Sequence, residues 1–240
     1  MPSLYRKIRS LIDRQFFWSL DYAYVARRQL FGAIGRTKPD HYQNPKSTKP
    51  SVILIPGIYE RWQFMKPVAS LLHRYGYDVH VIEGLGYNRR SVEDMARIVH
   101  VYIHTNDIKR CILLAHSKGG LIGKYVLTDY NVDQKVKGMI ALNTPFSGSK
   151  YAYLFLLIKS LRIFIPNSSI LKLLSGNQSV NASIVSIYSK FDPHIPDGSN
   201  LAGAKNIQLD SQGHFRVMND PLFHQAILDE LKNLDTNSTR

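Results

Sequence analysis

From residue 51 onward, short apolar runs alternate with segments of helical periodicity. The apolar runs end at turn-forming residues and predict six strands, at 51–55, 78–82, 109–115, 136–142, 184–188 and 205–209. Between them, apolar residues recur at three- and four-residue spacing, which predicts helices. Strands that are apolar throughout and alternate with helices are typical of a parallel sheet covered on both faces. The pattern therefore predicts an α/β fold with about six mostly parallel strands flanked by helices.

The region before residue 51 has a different pattern. Residues 4–34 predict one or two helices, whose buried side would carry the aromatic residues Phe16, Phe17, Trp18, Tyr22 and Tyr24. Residues 37–51 contain three prolines and no periodicity, which indicates a linker. We therefore expect a helical extension and linker over 1–50, followed by one main domain over 51–240.

A segment of about forty residues, 146–182, interrupts the alternation and predicts a lid or cap over the carboxyl edge of the sheet. Its stretch 151–165 is apolar on most sides of a predicted helix. We expect this helix to line a pocket for an apolar ligand, with Leu154 and Leu157 as candidate substrate-binding residues. A core helix without a role in binding, or one that contacts lipid, fits the same pattern.

The charge of the chain is concentrated near its start. The net charge is +13, and residues 1–50 hold ten Lys or Arg residues against three Asp. Such a basic segment could contact an anionic membrane or nucleic acid, or form a solvated face. Because no nucleic-acid-binding motif accompanies it, no nucleic-acid partner is expected.

Other features exclude several classes of protein. The single cysteine, Cys111, excludes an internal disulfide, and the nine histidines form neither an HExxH motif nor a Cys/His cluster, so no metal or cofactor is expected. Charged residues interrupt every apolar run before Phe16, so no secretory signal peptide is expected. The stretch 151–165 is too short and too charged to span a bilayer. The expectation is a cytoplasmic protein that could contact a membrane peripherally.

The most informative motif is Ala115-His116-Ser117-Lys118-Gly119-Gly120, between the strand 109–115 and the helix 120–130. A serine held between a strand end and a helix start, with small residues two before and two after it, has the arrangement of a nucleophile elbow. The flanking positions must be small because a larger side chain would collide with the neighbouring strand or helix. Ser117 is therefore the candidate nucleophile.

A serine hydroxyl needs a general base, which a third group orients. His214 follows the strand 205–209 and is the candidate base; His194 lies in a turn, and His224 falls inside the last predicted helix. The candidate acid is Asp192, which follows the strand 184–188. Asp197 and Asp210 compete with it for that role.

An oxyanion hole needs two backbone donors. Lys118, directly after Ser117, supplies one N–H. The Pro56-Gly57-Ile58-Tyr59 turn after the first strand would supply the Ile58 N–H. Tyr59 on this turn and Phe146 after the fourth strand are further candidate substrate-binding residues.

From about Ser51 to Leu231, the chain resembles the α/β-hydrolase superfamily, in particular its lipase- and esterase-like members. The resemblance depends on five features in the same order, namely Leu54-Ile55-Pro56-Gly57, the Ser117 motif, Asn143-Thr144-Pro145-Phe146-Ser147-Gly148, Asp192 with Ile195-Pro196, and Gly213-His214-Phe215. The chain departs from the family pattern at Ala115 and at Phe146, where lipase-like members often carry histidine.

The resemblance implies a Ser117–His214–Asp192 triad and hydrolysis of a small-molecule or lipid ester through an acyl-enzyme. An acyltransferase or thioesterase would use the same triad. A non-catalytic binding protein on this scaffold would usually have lost one of the three residues.

Overall fold

The computed structural model describes residues 15–30 and 37–237, and its centre is a six-stranded sheet. The strands are β1 (Ser51–Ile55), β2 (Val79–Val81), β3 (Cys111–His116), β4 (Val136–Leu142), β5 (Ile184–Phe191) and β6 (Lys205–Gln212). They lie in the order β2-β1-β3-β4-β5-β6, and every neighbouring pair is parallel. The predicted α/β fold with six parallel strands is confirmed.

Apolar side chains cover both faces of this sheet, because successive residues of a strand point to opposite faces. In β3, Cys111, Leu113 and Ala115 join the core on one face, and Ile112 and Leu114 join the core on the other. The first core includes Met95 and Val99, and the second includes Phe223 and Ile227. Ser117 follows β3 directly, so the nucleophile candidate lies at the carboxyl end of a central strand.

Six α-helices are described. Residues 15–30 are helical and are called α1 here; the other helices are α2 (Lys66–Arg74), α3 (Val92–Thr105), α4 (Lys118–Tyr125), α5 (Ser169–Gly176) and α6 (Pro221–Asn237). A π-helical turn, Val126–Tyr130, continues α4. The predicted start of α3 is confirmed, because the Ser91 hydroxyl accepts a hydrogen bond of 3.1 Å from the Asp94 N–H.

The predicted continuous helix over 151–165 is wrong. The structure has two short 3₁₀ helices, Lys150–Phe155 and Lys159–Phe164, with a break between them. A 3₁₀ helix has three residues per turn, so residues three apart share a face. Ala152 and Phe155 therefore point the same way, as do Leu161 and Phe164.

The aromatic residues of α1 are less buried than expected. Phe16 and Tyr22 are exposed, whereas Phe17, Trp18 and Tyr24 are partly buried. The fully buried residue of this helix is Asp21. The rest of the helix prediction, 4–14 and 31–34, lies outside the described residues. No helix in the ranges 15–30 and 37–237 has the length and apolar character needed to cross a bilayer.

Candidate active site

Ser117 occupies a strained turn between β3 and α4. Its φ is 52° and its ψ is −120°, a backbone conformation that is rare for residues other than glycine. A hydrogen bond of 2.9 Å from the Ser117 N–H to the Leu142 carbonyl fixes the turn against β4. A side chain at Gly119 would overlap the Ile55 carbonyl, and one at Gly120 would overlap the Thr144 side chain. These close approaches explain why small residues follow the serine.

The structure places Ser117, His214 and Asp192 in one hydrogen-bonded line. The His214 Nε2 lies 3.0 Å from the Ser117 Oγ, and the His214 Nδ1 lies 2.7 Å from the Asp192 Oδ2. All three residues are buried. The geometry allows His214 to accept the Ser117 proton while the Asp192 carboxylate accepts the hydrogen bond from Nδ1–H.

The competing residues have other partners. Asp197 pairs with Lys150 at 2.8 Å, and Asp210 pairs with Lys190 at 3.1 Å, both at the surface. The His224 Nε2 donates a hydrogen bond to the Met218 carbonyl. None of these side chains contacts Ser117 or His214, so the structure does not bring them into the triad.

Burial and charge act in opposite directions on the pKa values of His214 and Asp192. Burial alone would lower the pKa of His214, but the Asp192 carboxylate and its hydrogen bond outweigh burial and raise the pKa above 6.5. Burial alone would raise the pKa of Asp192, but the His214 charge and hydrogen bond lower it below 3.8. The site therefore favours the ion pair that forms when His214 takes a proton.

The two oxyanion-hole candidates belong to neighbouring turns. Lys118 begins α4, and Ile58 lies in the turn after β1. In the described part of the chain, neither the Lys118 N–H nor the Ile58 N–H donates a hydrogen bond to the protein. The first N–H groups of a helix have no partner within the helix and so are available to an anion.

A set of contacts fixes the turn that carries Ile58. The Tyr59 N–H donates to the Tyr87 carbonyl at 2.8 Å, and the Asn88 side chain donates to the Pro56 carbonyl at 2.7 Å. The buried Lys118 ammonium donates to the Asn88 carbonyl at 2.9 Å. Burial lowers the pKa of Lys118 to about 8. Lys118, which directly follows Ser117, thereby anchors Asn88, and Asn88 in turn holds the turn that carries Ile58.

The residue before the nucleophile connects the same turn to His214. The Nδ1 of His116 lies 2.9 Å from both carboxylate oxygens of Glu60, which also accepts the Gly57 N–H at 2.7 Å. The His116 Nε2–H donates to the His214 carbonyl at 3.0 Å. His116 and Glu60 are buried. A side chain at Gly57 would lie 2.9 Å from the Glu60 carboxylate and would displace it from its contacts with His116 and the Gly57 N–H.

A cavity of about 350 Å³ opens above Ser117 and His214. Most of its walls are apolar or aromatic side chains, namely Val25, Ile58, Tyr151, Ala152, Phe155, Leu161, Phe164 and Phe215. Its size and apolar walls match the usual range for small-molecule sites. The cavity suits an apolar group held beside the Ser117 hydroxyl.

One of the four predicted substrate-binding residues lines this cavity, and three do not. Tyr59 lines it, and the Tyr59 hydroxyl lies 2.7 Å from the Ser160 hydroxyl. Phe146 is buried in the sheet core instead. Leu154 and Leu157 are 76% and 95% exposed, because the 3₁₀ geometry turns Phe155 and Leu161 toward the cavity in their place.

Helix α1 and His194 also line the cavity, which the sequence pattern did not predict. Tyr22, Val25 and Gln29 of α1 line the cavity, as does His194. The Tyr22 hydroxyl lies 3.1 Å from the His194 Nε2, and Trp18 stacks on the same imidazole. Burial lowers the pKa of His194 to about 3, so this ring is neutral. No motif in the sequence marks these contacts.

Asp192, His194 and His214 form a cluster that could in principle hold a metal ion. Their candidate ligand atoms lie within 4.8 Å of one another, the only such cluster in residues 15–30 and 37–237. However, the Asp192 and His214 atoms face each other in the 2.7 Å hydrogen bond described above. The cluster fits a carboxylate that orients the His214 ring better than a set of ligands around an ion.

Comparisons with known proteins support the fold. Residues 50–163 match the family model of the alpha/beta hydrolase fold. None of the curated proteins matches the chain significantly.

Solved structures with the same fold include lipases and a lactonase. A Bacillus licheniformis lipase in its mature form is 17% identical, with a TM-score of 0.63 over 81% of this chain and 96% of the lipase. Aspergillus fumigatus lipase B is 21% identical, with a TM-score of 0.66 over 78% of this chain and 53% of that chain. An enol-lactonase from Burkholderia xenovorans is 14% identical, with a TM-score of 0.54 over 79% and 94% of the two chains. At these identities the similarity shows the fold alone.

Proposed function

Since the chain has the α/β-hydrolase fold, we propose that it is a serine hydrolase that cleaves a carboxylic ester with an apolar acyl group. The observation that carries the proposal is the line from Ser117 through His214 to Asp192, with separations of 3.0 Å and 2.7 Å, at the base of an apolar cavity. The lipases among the structures of the same fold are consistent with this substrate class.

The proposed reaction has two steps. In the first, the Ser117 Oγ attacks the ester carbonyl while the His214 Nε2 takes the serine proton, and His214 then gives that proton to the leaving alcohol. The product is an acyl group bound to Ser117. In the second step, His214 takes a proton from water, the resulting hydroxide attacks the acyl carbonyl, and Ser117 leaves with the proton returned by His214.

The surroundings of the triad favour these charge changes. Asp192 stabilises the imidazolium that forms in each step, and the free N–H groups of Ile58 and Lys118 would stabilise the negative carbonyl oxygen. Loss of one such donor typically slows turnover by about 10² to 10³-fold. Because both donors are backbone groups, their positions depend on the contacts of Lys118 and Glu60.

We further propose that the insertion 146–182 roofs the cavity and that its outer side contacts lipid. Six consecutive apolar residues, 153–158, are exposed there, and the exposed Lys159 and Arg162 follow them. Exposed apolar patches beside basic side chains favour an anionic lipid surface. Sedimentation with anionic vesicles tests this role: wild type should bind, and binding should weaken as salt rises. The absence of binding at every salt concentration, including the lowest, would refute the lipid contact.

The hydrolase activity is tested by turnover of p-nitrophenyl esters with acyl chains of increasing length. Wild type should hydrolyse them, and Ser117→Ala should lose this activity. Ser175→Ala is the matched control, because Ser175 is an exposed serine of α5 whose hydroxyl donates a hydrogen bond to the Lys172 carbonyl. The proposal fails if wild type is inactive on every ester, or if Ser117→Ala retains full activity.

A further inference from the structure

Helix α1 brings a buried carboxylate to the back of His214. Asp21 is 0% exposed, and its Oδ2 accepts the His214 N–H at 2.5 Å. Its Oδ1 accepts the Arg216 N–H at 3.3 Å and the Arg216 Nε–H at 3.4 Å. Because all three partners are donors and one belongs to a cation, the site fits an ionised carboxylate.

The segment before His214 is shaped around this carboxylate. Gly213 has a φ of +108°, and a side chain there would lie 2.6 Å from the Asp21 Oδ1. A larger residue at 213 would therefore be strained by its backbone conformation and blocked by Asp21. The close fit indicates that α1 and the His214 loop form one packed unit.

The other side of the His214 peptide is also fixed. Its carbonyl accepts hydrogen bonds from the His116 Nε2–H at 3.0 Å and from the Asn143 side-chain amide at 3.1 Å. Asp21 thus holds the N–H of His214, while two donors at the ends of β3 and β4 hold its carbonyl. With its N–H and its carbonyl both held, the His214 backbone has little freedom to move its imidazole away from Ser117.

We propose that Asp21 is a positioning residue for His214: it holds the His214 backbone in register with Ser117 and supplies a second negative charge that stabilises the imidazolium. The inference rests on the proposed hydrolase function and adds α1 to the active site. Asp21 does not line the cavity and acts only through His214.

The charged groups around His214 decide whether its pKa rises or falls when the Asp21 charge is removed. The carboxylates of Asp192, Asp21 and Glu60 all raise the pKa of His214, in that order of strength, against the lowering by burial. The imidazoles of His116 and His194 also lie against the ring, and Arg216 offsets part of the Asp21 charge. Burial raises the pKa of Asp21 itself, and its hydrogen bond with the His214 N–H lowers it in part. Removing the Asp21 charge should therefore lower the pKa of His214.

The first experiment measures kcat and KM against pH for Asp21→Asn. Asparagine keeps the shape and one acceptor oxygen but removes the charge. We expect kcat to fall about 10-fold to 100-fold with little change in KM. The acidic limb of the profile should move to lower pH by about one pH unit. Asp210→Asn is the matched control, because that side chain is 81% exposed and close in sequence to His214. An unchanged kcat and acidic limb, or equal effects in both variants, would overturn the proposal.

Two further measurements separate positioning from folding and from the function itself. Arg216→Met leaves Asp21 less neutralised, so the acidic limb should move to higher pH, opposite to Asp21→Asn. This variant decides the question if Asp21→Asn does not fold, and an unmoved or downward limb would refute the charge effect. An NMR titration of the His214 ring in wild type and variants gives the same pKa comparison without substrate. An inactive wild type would thus refute the proposed function. The effect of the Asp21 charge on His214 would still be tested, because the titration should give a lower His214 pKa in Asp21→Asn than in wild type, and an equal pKa would overturn it.

Discussion

The His116 Nε2–H donates a hydrogen bond of 3.0 Å to the backbone carbonyl of His214. Because a carbonyl only accepts hydrogen bonds, this nitrogen carries a proton. The other nitrogen faces the Glu60 carboxylate, which also holds the Gly57 N–H. The His116 ring therefore joins the turn of the proposed oxyanion hole to the loop that carries His214, the proposed general base. These two parts of the proposed active site share the buried Glu60–His116 pair.

Replacing Glu60 with alanine should destabilise the protein strongly. The change leaves the His116 Nδ1 and the Gly57 N–H buried without partners, and breaking a buried pair costs about 3 to 5 kcal/mol. Urea denaturation measures the free energy of unfolding. Glu83→Ala is the control: Glu83 is exposed, so its loss should change stability by no more than about 0.5 kcal/mol. Equal effects of the two substitutions would contradict a structural role for the Glu60–His116 pair.

Activity should depend on pH through His214. Only the neutral imidazole can accept the Ser117 proton, so kcat/KM should rise as His214 loses its proton. Because the surrounding carboxylates raise the pKa of His214 in the folded protein, the midpoint of this rise should lie above 6.5. The pH profile of kcat/KM for a soluble ester gives this midpoint. A midpoint below 6.5 would show that burial outweighs the carboxylates.

Removing the charge of Asp192 should cost most of the activity. Asp192→Asn keeps the size of the side chain but no longer favours the required tautomer and charge of His214, and the comparable change in a serine protease lowers kcat by about 10⁴-fold. Steady-state kinetics on a p-nitrophenyl ester measure the loss. Asp197→Asn and Asp210→Asn serve as controls, because both carboxylates pair with surface lysines and should leave kcat unchanged. A larger loss in either control would assign the triad acid to that residue.

The sequence pattern predicts the sheet more fully than the insertion. Continuous apolar strands such as 136–142 carry their own signal, and β4 has those bounds in the structure. Two 3₁₀ helices replace the predicted helix over 151–165, since a densely apolar segment fits periods of 3.0 and 3.6 equally well. Leu154 lies in the first of these 3₁₀ helices and Leu157 in the break between them, and both side chains are exposed although they were predicted to line the cavity.

In the candidate site, too, some residues could be predicted from the sequence and others could not. Ser117, Asp192 and His214 lie at strand ends, where topology alone brings them close. Asp21 has no such signal, because it is a single acidic residue in a helical pattern and its partner lies 193 residues away. Only the three-dimensional structure brings these two together.

The two faces of the insertion should have different roles in substrate selection. Phe155 lines the cavity with part of its side chain, whereas Leu157 does not line it and is 95% exposed. Phe155→Ala enlarges the cavity and should shift the preference among soluble p-nitrophenyl esters toward longer or bulkier acyl chains. Leu157→Ala should leave that preference unchanged. Comparing kcat/KM across the acyl series for both variants measures the difference. The same shift in both variants would contradict the placement of the cavity wall.

The most direct test of the central claim is the mass of the protein after reaction with a fluorophosphonate, which labels activated serines. We expect one adduct on wild type, mapped to Ser117 by peptide mass spectrometry, no adduct on Ser117→Ala, and slow labelling of His214→Ala. An unlabelled wild type, or an adduct that persists in Ser117→Ala, would contradict the assignment of Ser117 as an activated nucleophile.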